Sequence, residues 1–134
     1  MKHKITVAML VILTVVAIMH ISAIKFFLYW QIWWLDIPMH FLGGIFAGLF
    51  SLWVAVGFYK VLEDRLKIIA ISLFGGLLIG FFWEIFEFKA GLTYNTLGNY
   101  PLDTMKDIFM DILGALSAGL LTFKFFRNTQ NEQN

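Results

Sequence analysis

The chain has 134 residues, of which 60% are hydrophobic and 14% charged, and its net charge is +1. A soluble domain of this size could not hide so much apolar surface, so the composition predicts an integral membrane protein. The small net charge gives no indication of nucleic-acid binding. The lack of cysteine excludes disulfides, thiolate metal ligands and a thiol nucleophile. Because the polar connections are short, we expect one membrane domain over residues 1–134.

The first apolar segment, Ile5–Ile24, contains twenty residues without Asp, Glu, Lys or Arg. It is long enough to span about 30 Å of hydrocarbon. A signal peptide is a poorer interpretation, because Lys25 leads into bulky aromatic residues and no small-residue cleavage site follows. We expect a retained helix in which His20 packs or weakly supports a polar site. The aromatic residues of 26–35 predict a segment at the membrane–water boundary.

Three further apolar segments predict helices at about residues 36–59, 68–88 and 103–126. Together with the first helix, at about residues 5–24, they predict an all-α fold, a four-helix transmembrane bundle. Gly, Ala and Ser recur along one side of the second and third helices, and Gly114 and Ala118 extend this pattern to the fourth. Since small residues let membrane helices approach closely, we expect these stripes to pack helix against helix.

An acidic stripe lies on the fourth predicted helix. Asp103, Asp107 and Asp111 recur every fourth residue, so they share one helix face. A carboxylate near the centre of a lone membrane helix costs about 2.5–3.5 kcal/mol on insertion scales. The stripe is therefore expected to face protein, water or a cation.

Polar pairs also lie on the second and third predicted helices. Asp36 and His40 are four residues apart, and Glu84 and Glu87 are three apart, so each pair shares a helix face. Such spacing is typical of metal ligands, but it is a weak signal when taken alone. Structural explanations stay open. Asp36 and Asp103 could cap helices, His40 could bond to a backbone carbonyl, and the acids at the boundary could extend beside lysines to the headgroups.

Basic residues predict the orientation of the bundle in the membrane. Seven lie on one side: Lys2, Lys4, Lys60, Arg65, Lys67, Lys124 and Arg127. Three lie on the other: Lys25, Lys89 and Lys106. Both termini are therefore expected in the cytoplasm. Four alternating spans then bring six of the nine acidic residues, together with His40, to one level near the outer surface. If these residues served only as helix caps, packing groups or headgroup contacts, their position at one level would be an accident.

Six carboxylates in a poorly hydrated pocket cannot all stay ionised, so either protons or a cation neutralise them. Carboxylates with one imidazole suit Mg²⁺, Mn²⁺ or Ca²⁺, and Zn²⁺ or iron also fit. For a divalent metal ion the expected ligands are His40, Glu84, Asp107 and Asp111, with Asp103 as an outer ligand. Glu87 or Asp36 is the candidate general base.

Three segments, LDIPMHFLGG, WEIFEF and LDTMKDIFMDILGAL, resemble the signature segments of the YjdF-like bacterial inner-membrane proteins. That family is similar in turn to the VanZ-like family. The resemblance covers about residues 34–120 and leaves the first helix unmatched. It implies a small helical protein of the bacterial inner membrane and supports the polar positions without implying a reaction. Because this chain is shorter than is usual for the family, the resemblance also implies that a complete unit requires a homo-oligomer. The matched positions are Asp36, His40, Gly44, Glu84, Glu87, Asp103, Asp107, Asp111 and Gly114.

Three classes of function stay open. The leading one is metal-assisted hydrolysis or transfer on a lipid-linked phosphate or headgroup, because the predicted site lies at the depth of such groups. A proton- or cation-coupled transporter would use the buried acids as a relay, although the inner half of each helix lacks polar residues to continue it. A non-catalytic scaffold would bind membrane lipids or partners. Motifs of serine hydrolases, zincins and nucleotide hydrolases do not occur.

Overall fold

The protein is described by a computed structural model that covers residues 2–58, 64–91 and 99–131. The helices in these ranges are α1 (Lys2–Lys25), α2 (Leu28–Gln31), α3 (Asp36–Phe58), α4 (Arg65–Ala90) and α5 (Tyr100–Asn131). All except α2 are long and apolar enough to cross a membrane. No strand occurs in the described ranges. The predicted all-α fold with four transmembrane helices is therefore confirmed.

Helix α4 is longer than predicted at both ends. It begins at Arg65 because Asp64 caps it, with Oδ1 accepting a hydrogen bond from the Leu66 amide at 2.9 Å. It ends at Ala90, where Gly91 adopts a left-handed φ of 66° and its amide donates to the last helical carbonyls. Three predicted features lie outside the described residues: Lys60, the loop at residues 92–98 and the end of the polar tail at 132–134.

Helix α5 begins at Tyr100, before the predicted start. Pro101 fits this first turn because its missing N–H would have no helical partner there. The prediction that Asp103 caps the helix is wrong, since its amide already donates to the Asn99 carbonyl at 3.1 Å. The Asp103 side chain is therefore free of a capping role.

Helix α3 is central and packs against α1, α4 and α5. Its contact with α5 is close because glycine faces backbone on both helices. A Cβ added at Gly44 would overlap the backbone of Asp111, and a Cβ at Gly114 would overlap the carbonyl of Phe41. The small-residue stripes thus bring these two backbones together, as predicted.

One end of the bundle gathers basic and aromatic side chains. Trp53 Nε1 donates to Thr6 Oγ1 at 3.0 Å, and the Lys2 ammonium lies 4.6 Å from the centroid of the Trp53 ring. The guanidinium of Arg65 lies 5.7 Å from the Phe123 ring. These contacts place the start of α1 beside the end of α3, at the end of the bundle opposite the acidic residues.

The aromatic segment between α1 and α3 is mostly exposed. The chain turns at Phe27, which has a left-handed φ of 54°, and then forms the single turn α2. Trp30 and Trp33 are exposed, which suits a segment at the membrane boundary. Tyr29 is buried instead, and its hydroxyl lies 2.7 Å from Nδ1 of His20.

Candidate metal centre

His40 lies at the centre of a group of carboxylates from three helices. Its Nε2 is 3.6 Å from Asp36 Oδ1, 3.8 Å from Glu84 Oε1 and 3.9 Å from Asp107 Oδ1. Its Nδ1 is 3.4 Å from Asp111 Oδ2. One imidazole therefore contacts acids of α3, α4 and α5, as expected for polar pairs at one depth.

The α5 aspartates face the interior along three successive helical turns. Asp103, Asp107 and Asp111 are 7%, 3% and 4% exposed. Glycine on α4 makes room for the deepest of them, because a Cβ added at Gly80 would overlap the Asp111 carboxylate. The stripe predicted from four-residue spacing therefore packs against α3 and α4, away from lipid.

Lys106 bridges three of the aspartates. Its Nζ lies 2.7 Å from Asp103 Oδ1, 3.1 Å from Asp107 Oδ1 and 3.6 Å from Asp36 Oδ2. The lysine therefore points into the acidic group, and the interpretation in which it reaches lipid headgroups is wrong. A single ammonium offsets one negative charge, so the carboxylates around it and around His40 still need further protons or a cation.

Two buried carboxylate oxygens, Glu84 Oε1 and Asp107 Oδ1, accept no hydrogen bond from the described residues, although the second lies 3.1 Å from the Lys106 ammonium. Glu84 is 4% exposed, and its Oε1 accepts no hydrogen bond. The imidazole of His40 is too distant to donate to it. Leaving a buried acceptor unpaired costs about 1–3 kcal/mol, and more for a charged group. An unpaired oxygen that faces an imidazole suits a bound cation or a shared proton.

Two sets of three side chains have donor atoms close enough to hold one ion. They are Asp36, His40 and Asp107, and His40, Glu84 and Glu87, each with donor atoms within 4.8 Å of one another. Ligands bound to one ion at about 2.0–2.6 Å lie at most about 4–5 Å apart. The residues present therefore fit a divalent ion on the Nε2 side of His40. Two predicted ligands are not in these sets. Asp111 lies beside Nδ1, the other ring nitrogen of His40, and Asp103 is paired with Lys106.

A cavity of about 320 Å³ adjoins this group. The imidazole of His40 and the carboxylates around it are called the cluster below. Four cluster residues line one end of the cavity: Asp36, His40, Glu87 and Asp111. His20 and Tyr29 lie at the same end, and the remaining lining comes from mostly apolar residues of α1, α3 and α4. The cluster is therefore accessible from a cavity that is lined mostly by apolar side chains.

Sequence reasoning missed three contributors to this region. Tyr29 stood among exposed aromatics, and its only signal was a hydroxyl near the level of His20. Thr104 follows Asp103, and its buried hydroxyl has no hydrogen-bond partner among the described residues. Lys106 was assigned to the membrane boundary. No spacing rule distinguishes these side chains, because their environments depend on tertiary packing.

Fold and cluster together define a small multi-pass membrane protein with a buried imidazole–carboxylate group. Over residues 1–128 the chain matches the family described as Predicted membrane protein (DUF2238), and it belongs to that family. This match includes α1, which the three resembling segments left uncovered. No curated protein and no solved structure shows a significant match to the chain. The family description states no activity, so the functional conclusion depends on the site.

Proposed function

We propose that this protein is a metal-dependent hydrolase or transferase acting on a lipid-linked phosphate or headgroup, in a bacterial-type inner membrane. The observation that carries the proposal is the position of His40 within 3.9 Å of four carboxylates, beside the unpaired Oε1 of Glu84. The ion is Mg²⁺, Mn²⁺, Ca²⁺ or Zn²⁺, since carboxylates and one imidazole suit all four. The relation to VanZ-like proteins stays a prediction.

The ion would be held on the Nε2 side of His40, by Asp107 with Asp36 or by Glu84 with Glu87. Nδ1 of His40 lies 3.4 Å from Asp111 Oδ2, and in the tautomer with the proton on Nδ1 it donates to Asp111 and leaves Nε2 available to an ion. Metal-binding histidines commonly donate their second N–H to a carboxylate in this way. When bound, a divalent ion supplies Lewis-acid activation of a phosphoryl oxygen.

Glu87 and Asp36 are the candidate general bases. Both line the cavity, and each belongs to one of the two ligand sets around His40. A carboxylate in that position can accept the proton of an attacking water or hydroxyl group as the nucleophile approaches a headgroup in the cavity. The one that is not a metal ligand is the one available for this role.

A proton- or cation-coupled transporter is the main alternative, because the unpaired oxygen of Glu84 would also suit a shared proton. The packing below the cluster supports the enzyme instead. There the Ser72 hydroxyl donates to the Ala115 carbonyl at 2.7 Å, and Leu52 and Ile68 are fully buried. A relay across the membrane uses ionisable groups along its path, and the buried polar side chains in this part of the described core, Ser72 and Thr122, do not ionise.

Lipid turnover tests the proposal directly. Purified protein in nanodiscs is supplied with Mn²⁺ and with phosphatidic acid or a prenyl diphosphate, and phosphate release is measured. We expect release that requires the metal and is lost in Glu87→Gln or Asp36→Asn. The control is Asp64→Asn, an exposed position where Asn can also cap α4. Counter-ion flux in proteoliposomes without any lipid turnover would support the transporter instead.

A further inference from the structure

The cavity beside the cluster is polar at one end only. That end holds the carboxylates of Asp36, Glu87 and Asp111 and the hydrogen-bonded pair of His20 and Tyr29. The opposite part is lined by apolar side chains, among them Leu13, Phe46 and Ile79. A cavity with one polar end and one apolar end is complementary to an amphiphile.

The apolar part follows the helix axes into the membrane. Leu13 precedes His20 by seven residues on α1, and Phe46 follows His40 by six on α3. At 1.5 Å per residue these positions lie about 9–11 Å from the polar end. The cavity therefore has the direction and depth of a lipid chain whose head lies at the cluster.

The mouth of the cavity opens between α1 and α4. Leu13 and Trp83 line the cavity yet are 45% and 44% exposed, and Ala17 is exposed as well. All three belong to helices that can cross the membrane. Their exposed surfaces therefore face hydrocarbon in a bilayer, and a lipid chain can enter sideways without passing through water.

We propose that this cavity binds the hydrocarbon chain of a single-chain amphiphile whose phosphate head lies at the cluster. The proposal rests on the proposed function, because without a bound cation the carboxylates would repel a phosphate. The buried oxygens Glu84 Oε1 and Asp107 Oδ1, which accept no hydrogen bond, support a cation there. A volume of about 320 Å³ lies at the small end of ligand pockets, about 300–1,000 Å³, which favours one chain over two.

Photolabelling tests the proposal with the full chain in nanodiscs containing Mn²⁺. The probe is dodecyl phosphate with a diazirine in the middle of its chain, and the labelled residues are found by mass spectrometry. We expect labels at Leu13, Ala17 and Trp83. Ala17→Phe and Gly43→Leu should each lower labelling roughly tenfold, the equivalent of about two buried methylene groups. A Cβ at Gly43 makes only an ordinary contact, 3.7 Å from Asp111 Oδ1, so the leucine should be accommodated within the cavity.

The matched control is Ile18→Phe, since Ile18 is exposed beside Ala17 but does not line the cavity. This variant should be labelled like the wild type. Equal labelling of all variants, or labels only on outward residues such as Ile18 and Phe82, would overturn the proposal. A dodecyltrimethylammonium probe with the same diazirine tests the head. Stronger labelling by this probe would also overturn it and identify a cationic amphiphile.

Mn²⁺ binding, measured by electron paramagnetic resonance on the same samples, separates the two proposals. Bound Mn²⁺ without labels in the cavity overturns the chain site and leaves the metal centre standing. Labels in the cavity without bound Mn²⁺ overturn the metal centre and the position of the phosphate head at the cluster.

Discussion

His40 and Lys106 contact overlapping sets of carboxylates, with Asp36 and Asp107 close to both. Lys106 pairs most closely with Asp103, at 2.7 Å, near the outer end of α5. His40 contacts Asp36 at the start of α3 as well as the deeper Glu84, Asp107 and Asp111, and only Asp111 lies beside its Nδ1. Asp103 and Lys106 therefore form a rim above a histidine-centred group, and the proposed metal ion would lie in that group.

Removing the lysine should destabilise the rim. Lys106→Met leaves Asp103 and Asp107 without their ammonium partner, and losing a charged hydrogen bond of this kind costs about 1.5–3 kcal/mol. We expect a lower melting temperature in detergent. The control Lys67→Met removes an exposed lysine that lies 3.8 Å from Asp64, where ion pairs contribute little. Equal melting temperatures for the two variants would argue against the bridging role.

Asp111 and Asp103 should differ in their effect on metal affinity. Asp111→Asn weakens the acceptor that directs His40, and changes to such partners typically lower metal affinity about 10–100-fold. Asp103→Asn should have a smaller effect, because Asp103 is paired with Lys106. Mn²⁺ titration followed by electron paramagnetic resonance measures both. A greater loss in Asp103→Asn would move the ion to the rim.

The residues that sequence analysis could bring together are those with a repeating pattern. The four-residue spacing of the α5 aspartates and their depth were sufficient to predict that they lie near His40 and Glu84. Helix geometry determines both the face and the depth of such residues. The contact of Tyr29 with His20 was not predictable. It depends on the turn at Phe27, a single left-handed residue that carries no glycine signal.

At the scale of helices, the approach of α3 to α5 positions the whole site. Gly44 meets the backbone of Asp111, so the glycine contact and the carboxylate belong to the same turn of α5. The sequence indicated this through its small-residue stripes. It did not indicate that α5 begins at Tyr100, because Pro101 followed by Asp103 resembles a later start.

Adding one methyl group should test this contact. Gly44→Ala places a Cβ against the Asp111 carbonyl, and overpacking of this kind costs about 1–3 kcal/mol. We expect a lower melting temperature together with weaker Mn²⁺ binding, since the helices separate at the site. The control is Gly57→Ala, where a Cβ would meet only the flexible end of Lys2, at 3.1 Å. If Gly44→Ala melts like Gly57→Ala, the two helices are not held by this contact.

For the whole molecule, the distribution of basic residues predicts that the cluster faces outward. Lys2 and Arg65 lie at the end of the bundle opposite the acids. Lys106 belongs to the site and not to a loop. Without it, the excess of basic loop residues on the predicted cytoplasmic side is larger than the sequence suggested. The orientation itself could not be derived from the fold, because the helices pack in the same way in both orientations in the membrane.

Topology reporters check this orientation. Fusions at both termini should report a cytoplasmic location, and a reporter inserted at residues 90–100 should report an external one. A C-terminal fusion that reports an external location would place the cluster in the inner leaflet. The substrate head would then have to be presented from the cytoplasm.

The most direct test of the central claim is thermal melting with and without metal. Chelation should lower the melting temperature and Mn²⁺ should restore it, since an ion at 100 times its dissociation constant stabilises the folded state by about 2.7 kcal/mol. The shift should shrink as pH falls, because protons compete for the same carboxylates, and it should be greatly reduced in Asp111→Asn. If chelation leaves the wild type unchanged while Asp111→Asn and Glu84→Gln raise its melting temperature, the carboxylates do not bind a metal ion.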